Sequence, residues 1–249
     1  NNFIIPVLIA SIIPIINFLL VFFYLPETKP NSDSNKSKTI LKNPLKALFT
    51  VFKEEKIKKL SLAFFIYFIA FTGLTNILIF FLQESLNWTT KASSGTLVVV
   101  GIIAIIVQGG LIGPLVKQFG EMRLTLIGSG FILVACALLI TAPKENATIN
   151  IYSAVSFLAV GAGLITPTLR ALISKKLDID KQGSILSNLQ GLQSLGGVLG
   201  IAMAGRVYDS FGPKSPFIAG SVILLFMIYL IAEGKSNNSF NNQKSKVLK

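Results

Sequence analysis

Long apolar runs alternate with short polar segments along the whole chain. Seven such runs can be drawn, at residues 3–25, 59–82, 94–115, 124–142, 150–174, 184–207 and 214–233. A helix of about 20 apolar residues crosses the ~30 Å hydrocarbon core of a bilayer, where no water can satisfy an open backbone. The pattern therefore predicts an all-α membrane protein with seven transmembrane helices.

The composition supports this interpretation. Of the 249 residues, 52% are apolar and 14% are charged, and the charges lie between the apolar runs. A soluble domain of this length would mix the two along the chain. A net charge of +12 is also typical of nucleic-acid-binding proteins. Because the basic residues lie in the connections between runs, membrane topology explains them better, and no nucleic-acid partner is expected.

The basic residues also predict an orientation. Nineteen of the 23 Lys and Arg residues fall in alternate connections, beginning with residues 26–60. Cytoplasmic loops carry an excess of Lys and Arg, so this side is predicted to be cytoplasmic. The chain is then a multi-pass protein of the cell (inner) membrane, with its start outside and its C-terminus in the cytoplasm. The opposite connections contain only Lys91, Lys144, Arg206 and Lys214.

Several residue types that carry chemistry are missing from the sequence. Histidine is absent, and Cys136 is the only cysteine, so a cysteine or histidine metal site is not expected. No Asp or Glu lies near the centre of a predicted span, so a proton path through a buried carboxylate is not visible in this portion. We therefore expect no catalytic residues, no metal and no cofactor, and a protein that is not an enzyme.

Polar side chains inside the spans are the candidate substrate contacts. Amides and hydroxyls are costly in lipid, so they are expected to face a cavity or another helix. For Gln108, contact with another helix is an equal alternative. Arg170 shares a helix face with Thr166, but anchoring at the membrane interface beside Lys175 is favoured for it. The candidate cavity residues are Thr72, Asn76, Gln108, Thr166, Ser187, Asn188 and Gln190.

Glycine and proline mark places where helices are expected to bend, pack closely or turn. Proline removes a backbone donor, and small residues let helix backbones approach. A bend and close packing are predicted around Gly161, Gly163 and Pro167, and a GxxxG contact at Gly196 and Gly200. The stretch "GPLVKQFGEMR", residues 113–123, is predicted to be a cytoplasmic hinge turn. Its key positions are Gly113, Leu115, Lys117, Gly120 and Arg123.

The linker at residues 26–58 has two parts. It begins polar, and then Asn43-Pro44 is typical of a helix start. Leu45, Leu48, Phe49 and Phe52 follow at helical spacing, which predicts an amphipathic helix on the cytoplasmic membrane surface. A solvated charge run with some helix is the alternative.

Four stretches, in order along the chain, carry a family resemblance. They are "LPET", "GPLVKQFGEMR", "GAGLITPTLRALIS" and "DIDKQGSILSNLQGLQSLGGVLG". Together they resemble the major facilitator superfamily, and within it the drug/proton antiporters that include the tetracycline efflux proteins. The resemblance implies a twelve-helix transporter made of two six-helix bundles. Residues 1–25 would be the last helix of the first bundle, 26–58 the central loop and 59–233 the second bundle, followed by a disordered cytoplasmic tail at 234–249, so an upstream portion is expected.

The resemblance also implies a function. Residues 113–123 are similar to the family's signature cytoplasmic loop, with Lys117 where the pattern has an acid. Tetracycline exporters carry a membrane His and Asp where this chain has Ala104 and Ile132, so tetracycline is not implied as the substrate. We expect proton-coupled efflux of small amphipathic compounds or drugs, by a protein that is monomeric at full length. The alternative is an importer or facilitator of a sugar or other polar metabolite.

Overall fold

Helices make up all the regular structure in the described part of the chain. The computed structural model describes residues 4–24, 48–143 and 147–247. A short 3-10 helix, Phe49–Phe52, precedes α2, and a π-helical segment, Val107–Leu111, joins α3 to α4 without a turn. The α-helices are α1 Ile4–Tyr24, α2 Lys58–Ser85, α3 Thr90–Ile106, α4 Ile112–Phe119, α5 Glu121–Thr141, α6 Thr148–Ser174, α7 Ile179–Phe211 and α8 Ser215–Val247.

Each of the seven predicted spans coincides with a helix. Five helical stretches are long and apolar enough to cross a membrane: Lys58–Ser85, Thr90–Phe119, Glu121–Thr141, Thr148–Ser174 and Ser215–Glu233. The sixth predicted span lies within α7, a helix of 33 residues whose first half carries most of the polar side chains. In α1 the apolar stretch is shorter, Ala10–Tyr24. The first and sixth spans therefore stay predictions, while the all-α membrane fold is confirmed.

The chain divides into two compact units, residues 1–42 and 43–249. In the first unit α1 is a 21-residue apolar helix that contains Pro14. The rings of Phe18 and Phe22 stack along it, with centroids 6.1 Å apart, and both side chains are exposed. At 1.5 Å per residue the helix is about 30 Å long, as a membrane span requires.

The second unit is built around α2, which packs against α7 and α8, and around the pair α5 and α6. Phe64, Tyr67 and Phe81 of α2 are fully buried, and the Phe81 ring meets Phe217 of α8 edge to face, with centroids 5.1 Å apart. Further contacts join α3 to α6 and α5 to α8. The core thus lies between helices of one bundle, and large apolar side chains of α3, such as Ile105, remain exposed.

Two helix pairs approach so closely that only glycine fits at the crossing. A Cβ atom on Gly161 of α6 would lie 2.6 Å from the backbone oxygen of Gly128 in α5. A Cβ on Gly73 of α2 would lie 2.8 Å from the backbone oxygen of Gly200 in α7. Small residues at such crossings are how transmembrane helices pack without a hydrophobic driving force. Gly196 also faces α2, near the backbone oxygen of Phe65.

A hydrogen bond between two threonines reinforces the α5–α6 pair. Thr125 and Thr168 are buried, and their hydroxyl oxygens are 2.8 Å apart. Replacing Thr168 with valine keeps the shape and removes this bond. We expect the free energy of unfolding in detergent to fall by about 0.6 kcal/mol, the average for such bonds between membrane helices.

The matched control for that prediction is Thr141→Val. The Thr141 hydroxyl is exposed and donates only to its own helix, at the carbonyl oxygen of Ala137. Equal unfolding energies for the two variants would show that the interhelical bond adds no stability.

The predicted hinge turn is much shorter than the sequence suggests. Gly113, Leu115 and Lys117 lie within α4, and Arg123 lies in the first turn of α5, so Gly120 alone separates the two helices. Its φ of 75° and ψ of 158° belong to a region that residues with a Cβ rarely adopt. Pro114 lies inside the continuous helical stretch Thr90–Phe119, three residues after the π-helical segment, and does not end it.

The structure describes only part of the predicted surface helix. Residues 43–47 lie outside the described residues, Leu48 is helical, and the 3-10 helix Phe49–Phe52 follows it. Val51 and Ile57 in this segment are fully buried, because it packs on the bundle. At the other end, the backbone of α8 continues to Val247 where a disordered tail is predicted. No proline follows Glu233, and extending an existing helix adds one hydrogen bond per residue.

Candidate functional site

A polar cluster around Arg170 joins three helices of the second unit. Arg170 lies on α6, and its Nη2 donates to Oε1 of Gln190 at 2.6 Å and to Oε1 of Gln193 at 2.5 Å, both on α7. The guanidinium carbon also lies 5.9 Å from the centre of the Phe64 ring on α2, within the range of a cation–π interaction. We call Arg170, Gln190 and Gln193 the arginine cluster.

Thr166 extends the polar face of α6 by one turn. Its hydroxyl lies 3.3 Å from the hydroxyl of Tyr67, which is fully buried on α2. Thr166 and Arg170 are four residues apart, so they share one helix face as the sequence predicts. This face is directed at α2 and α7, and Arg170 therefore contacts protein side chains. The predicted anchoring of Arg170 at the membrane interface beside Lys175 stays a prediction, and Lys175 itself pairs with Glu121.

The other predicted cavity residues lie apart from the arginine cluster. On α2, Asn76 is exposed and its amide donates to the backbone oxygen of Thr72 at 2.9 Å, within its own helix. On α7, Asn188 donates to the hydroxyl of Thr50 at 3.1 Å, in the segment before α2, and Ser187 is exposed. Thr72 faces α7, where a Cβ on Gly197 would lie 3.6 Å from its Cγ2. Of the seven candidates, Gln190 bonds to Arg170 directly and Thr166 lies one helical turn from it.

Gln108 lies in the π-helical segment, where it is exposed. The neighbouring Val107 packs against α6: a Cβ on Gly163 would be 2.9 Å from Cγ1 of Val107. A π-helical turn widens the backbone locally and is often found at functional sites. The segment thus presents Gln108 on the open side of the helix while its buried side holds α6.

Pro167 does not interrupt α6, which is one continuous helix from Thr148 to Ser174. The predicted bend at this position stays a prediction. Its neighbours Gly161 and Gly163 both lie where another helix crosses α6, α5 in one case and the π-helical segment in the other.

Sequence reasoning missed three parts of this region. Gln193 follows Gln190 by three residues and so lies on the same helix face, a signal that was present in the spacing. The hydrogen bond between Tyr67 and Thr166 could not be predicted, since it depends on the contact between α2 and α6. The π-helical segment coincides with the pair Gly109-Gly110, which is a local signal for it.

The described ion pairs lie near helix ends, and none of them includes a residue of the arginine cluster. Lys59 pairs with Glu233 at 2.6 Å, Lys181 pairs with Glu54 at 3.3 Å, and the hydroxyl of Tyr208 donates to Glu84 at 2.8 Å. These charges are partly exposed, so each pair adds little stability. Among the described residues, no group of three His, Cys, Asp or Glu side chains is placed to hold a metal ion.

Comparisons with known proteins agree with this architecture. The family model of the Major Facilitator Superfamily matches residues 2–201. Hippocampus abundant transcript-like protein 1 from Homo sapiens is 21% identical over 91% of this chain and 49% of its own length. The class D tetracycline resistance protein from Salmonella ordonez is 28% identical over 82% of this chain and 50% of its own length.

A solved structure shows the same fold. The human organic anion transporter MFSD10 (TETRAN) superposes with a TM-score of 0.70 at 20% identity, and the match covers 86% of this chain and 53% of that one. The chain spans about half the length of the curated relatives that it matches. Since the family model covers most of the sequence, this chain belongs to the Major Facilitator Superfamily.

Proposed function

We propose that the full-length protein is a secondary active transporter that exports small amphipathic compounds or drugs in exchange for protons. In this mechanism two helix bundles rock about a site near the middle of the membrane and expose it alternately to each side. The observation that carries the proposal is the polar face of α6 and α7 in a chain of this family. Arg170, Gln190 and Gln193 lie there on helices whose buried side chains are mainly apolar.

The direction of transport is inferred from the bacterial relatives. Tetracycline resistance proteins of classes C, D and H match this chain, and resistance to a drug is consistent with export. Tetracycline itself is not proposed, because Ala104 and Ile132 stand at the positions where tetracycline exporters are expected to carry ionisable side chains. The second half of such a transporter supplies one wall of the substrate path, and we place the proton-carrying carboxylates in the other half.

The remaining predicted positions have supporting roles in this proposal. Thr72, Asn76, Gln108, Ser187 and Asn188 would contact the substrate in other conformations of the transporter. Orientation follows the distribution of basic residues, with the C-terminus in the cytoplasm of a cell whose inner membrane holds the protein.

Transport in a purified system tests the proposal. We expect the full-length protein in liposomes to move one or more members of a broad dye and drug panel when a pH gradient is imposed. Addition of a protonophore should abolish this movement, and protein-free liposomes serve as the blank. Movement of no panel member under the gradient would contradict the proposal, and uptake of a sugar or other polar metabolite alone would favour an importer.

A further inference from the structure

Arg170 is a cation on a membrane-spanning helix whose described partners are all uncharged. It lies four residues before the end of the span Thr148–Ser174, and it contacts the two amide oxygens of Gln190 and Gln193 and the ring of Phe64. Both hydrogens of Nη2 are used by the two glutamines. Within the described part of the chain, Nε is buried and has no hydrogen-bond partner. No described contact occupies Nη1, so its two hydrogens are left to donate to a ligand.

No carboxylate in the described part of the chain pairs with Arg170. The described ion pairs are Lys59–Glu233, Lys175–Glu121 and Lys181–Glu54. A partly buried charge without an opposite charge nearby is costly, because amide oxygens replace only part of its hydration. Intramembrane charges of this kind mark substrate or ion pathways. Among the described residues, Arg170 therefore has no anionic partner.

We propose that the arginine cluster binds the carboxylate of transported compounds, so that the substrates are organic acids with one negative charge. This inference rests on the proposed function and names its substrate class. Because Nη2 is occupied and Nε is buried, a carboxylate would be bound by the hydrogens of Nη1 in charge-assisted hydrogen bonds. One cation favours a monoanion, since the nearest other cation along α6, Lys175, is already paired with Glu121.

The two glutamines position the guanidinium for this role. They fix Nη2 from the α7 side, while Phe64 supports the guanidinium from α2. Gln190 is exposed and Arg170 is partly buried, so a ligand can reach the cluster from the side of Gln190. Since the glutamines accept hydrogen bonds without neutralising the charge, the attraction for an anion is retained.

Binding of matched probes to the full-length protein tests the proposal. The probes are 1-naphthoate and 2-anthracenecarboxylate at pH 7.5, each with its methyl ester, measured by equilibrium dialysis in detergent. We expect the carboxylate of at least one pair to bind tenfold or more tightly than its ester. Arg170→Gln should remove this preference and leave binding of the ester within about twofold. Arg170→Lys keeps the charge but not the planar guanidinium, so it should retain part of the preference for the carboxylate.

The control is Arg206→Gln, which removes the same charge near the other end of α7, where Arg206 is exposed. It should keep the full preference for the carboxylate. Thermal unfolding of each variant shows whether it is folded, and the comparison of acid with ester in the unmodified protein does not depend on any variant. Equal binding of acid and ester by the unmodified protein, or an undiminished preference in Arg170→Gln, would overturn the inference.

Two other outcomes separate this inference from the proposed function. If liposomes move neutral or cationic compounds under the pH gradient while the acids are not preferred, the transporter stands and the substrate class is wrong. If Arg170→Gln weakens acid and ester binding equally, Arg170 supports the site without binding the substrate's carboxylate, and the inference is again overturned.

Discussion

Replacing Gly200 with valine is expected to lower the free energy of unfolding by about 3 kcal/mol, the upper end of the usual range for overpacking. A Cβ at this position would overlap the backbone oxygen of Ile69 on α2 and lie 3.1 Å from the amide nitrogen of Gly73. Backbone atoms cannot rotate away as a side chain can. The helices α2 and α7 would therefore have to separate, which also disturbs the packing of α2 on α8.

Gly205→Val on the same helix is the matched control. A Cβ at Gly205 meets no atom within 4 Å, so this variant carries the same change in helix propensity without the clash. Unfolding of both variants is followed in mixed detergent micelles against the unmodified protein. If Gly200→Val and Gly205→Val unfold at the same free energy, the close approach of α2 and α7 is not a feature of the protein in solution.

The reciprocal position supports the same interpretation. Gly73→Ala places a Cβ 2.8 Å from the backbone oxygen of Gly200. Because both substitutions push the same two backbones apart, their effects on the unfolding free energy should be less than additive when combined.

The helices of this protein are predictable because membrane spans are dictated by length and apolarity alone. An apolar run in lipid must be helical, since nothing else satisfies its backbone. Which helices pack against each other is not predicted in this way, because it depends on which helix surfaces meet. The GxxxG pair Gly196 and Gly200 indicates close packing, but the sequence does not say that α2 is the partner, nor that Gly73 stands opposite Gly200.

In the candidate site, too, the sequence indicates individual polar residues but not their tertiary contacts. Thr166 and Gln190 are recognisable as polar residues in apolar surroundings, and the structure places both near Arg170. The role of Arg170 depends on a tertiary contact with α7, so its closeness to the helix end favours membrane anchoring when only the sequence is considered. Asn188 has the same local character as Gln190, yet it contacts Thr50 because the segment before α2 packs there.

Gly120→Ala is expected to destabilise the protein by about 1–3 kcal/mol, because alanine rarely adopts the backbone angles found at this position. Gly120 has a φ of 75° and a ψ of 158° between α4 and α5. The space around it is open, with no atom within 4 Å of an added Cβ. The cost is therefore conformational and does not arise from a clash.

Gly113→Ala is the control for the turn, and its effect on the free energy of unfolding should have the opposite sign to that of Gly120→Ala. Gly113 lies within α4 and also has open space around it. Alanine is preferred to glycine in a helix by about 0.5–1 kcal/mol, so this variant should be as stable as the unmodified protein or slightly more stable. Measured side by side as unfolding free energies, the two variants show which glycine makes the turn.

Gly212 provides an independent check on the physical reason. It separates α7 from α8 with a φ of 91° and a ψ of 175°, and an added Cβ would again meet no atom within 4 Å. If backbone conformation sets the cost, Gly212→Ala should destabilise the protein about as much as Gly120→Ala does. If Gly113→Ala lowers the free energy of unfolding as much as Gly120→Ala does, the whole stretch 113–123 acts as a hinge, as its sequence suggests. The single-residue turn at Gly120 would then not be what holds α4 and α5 in place.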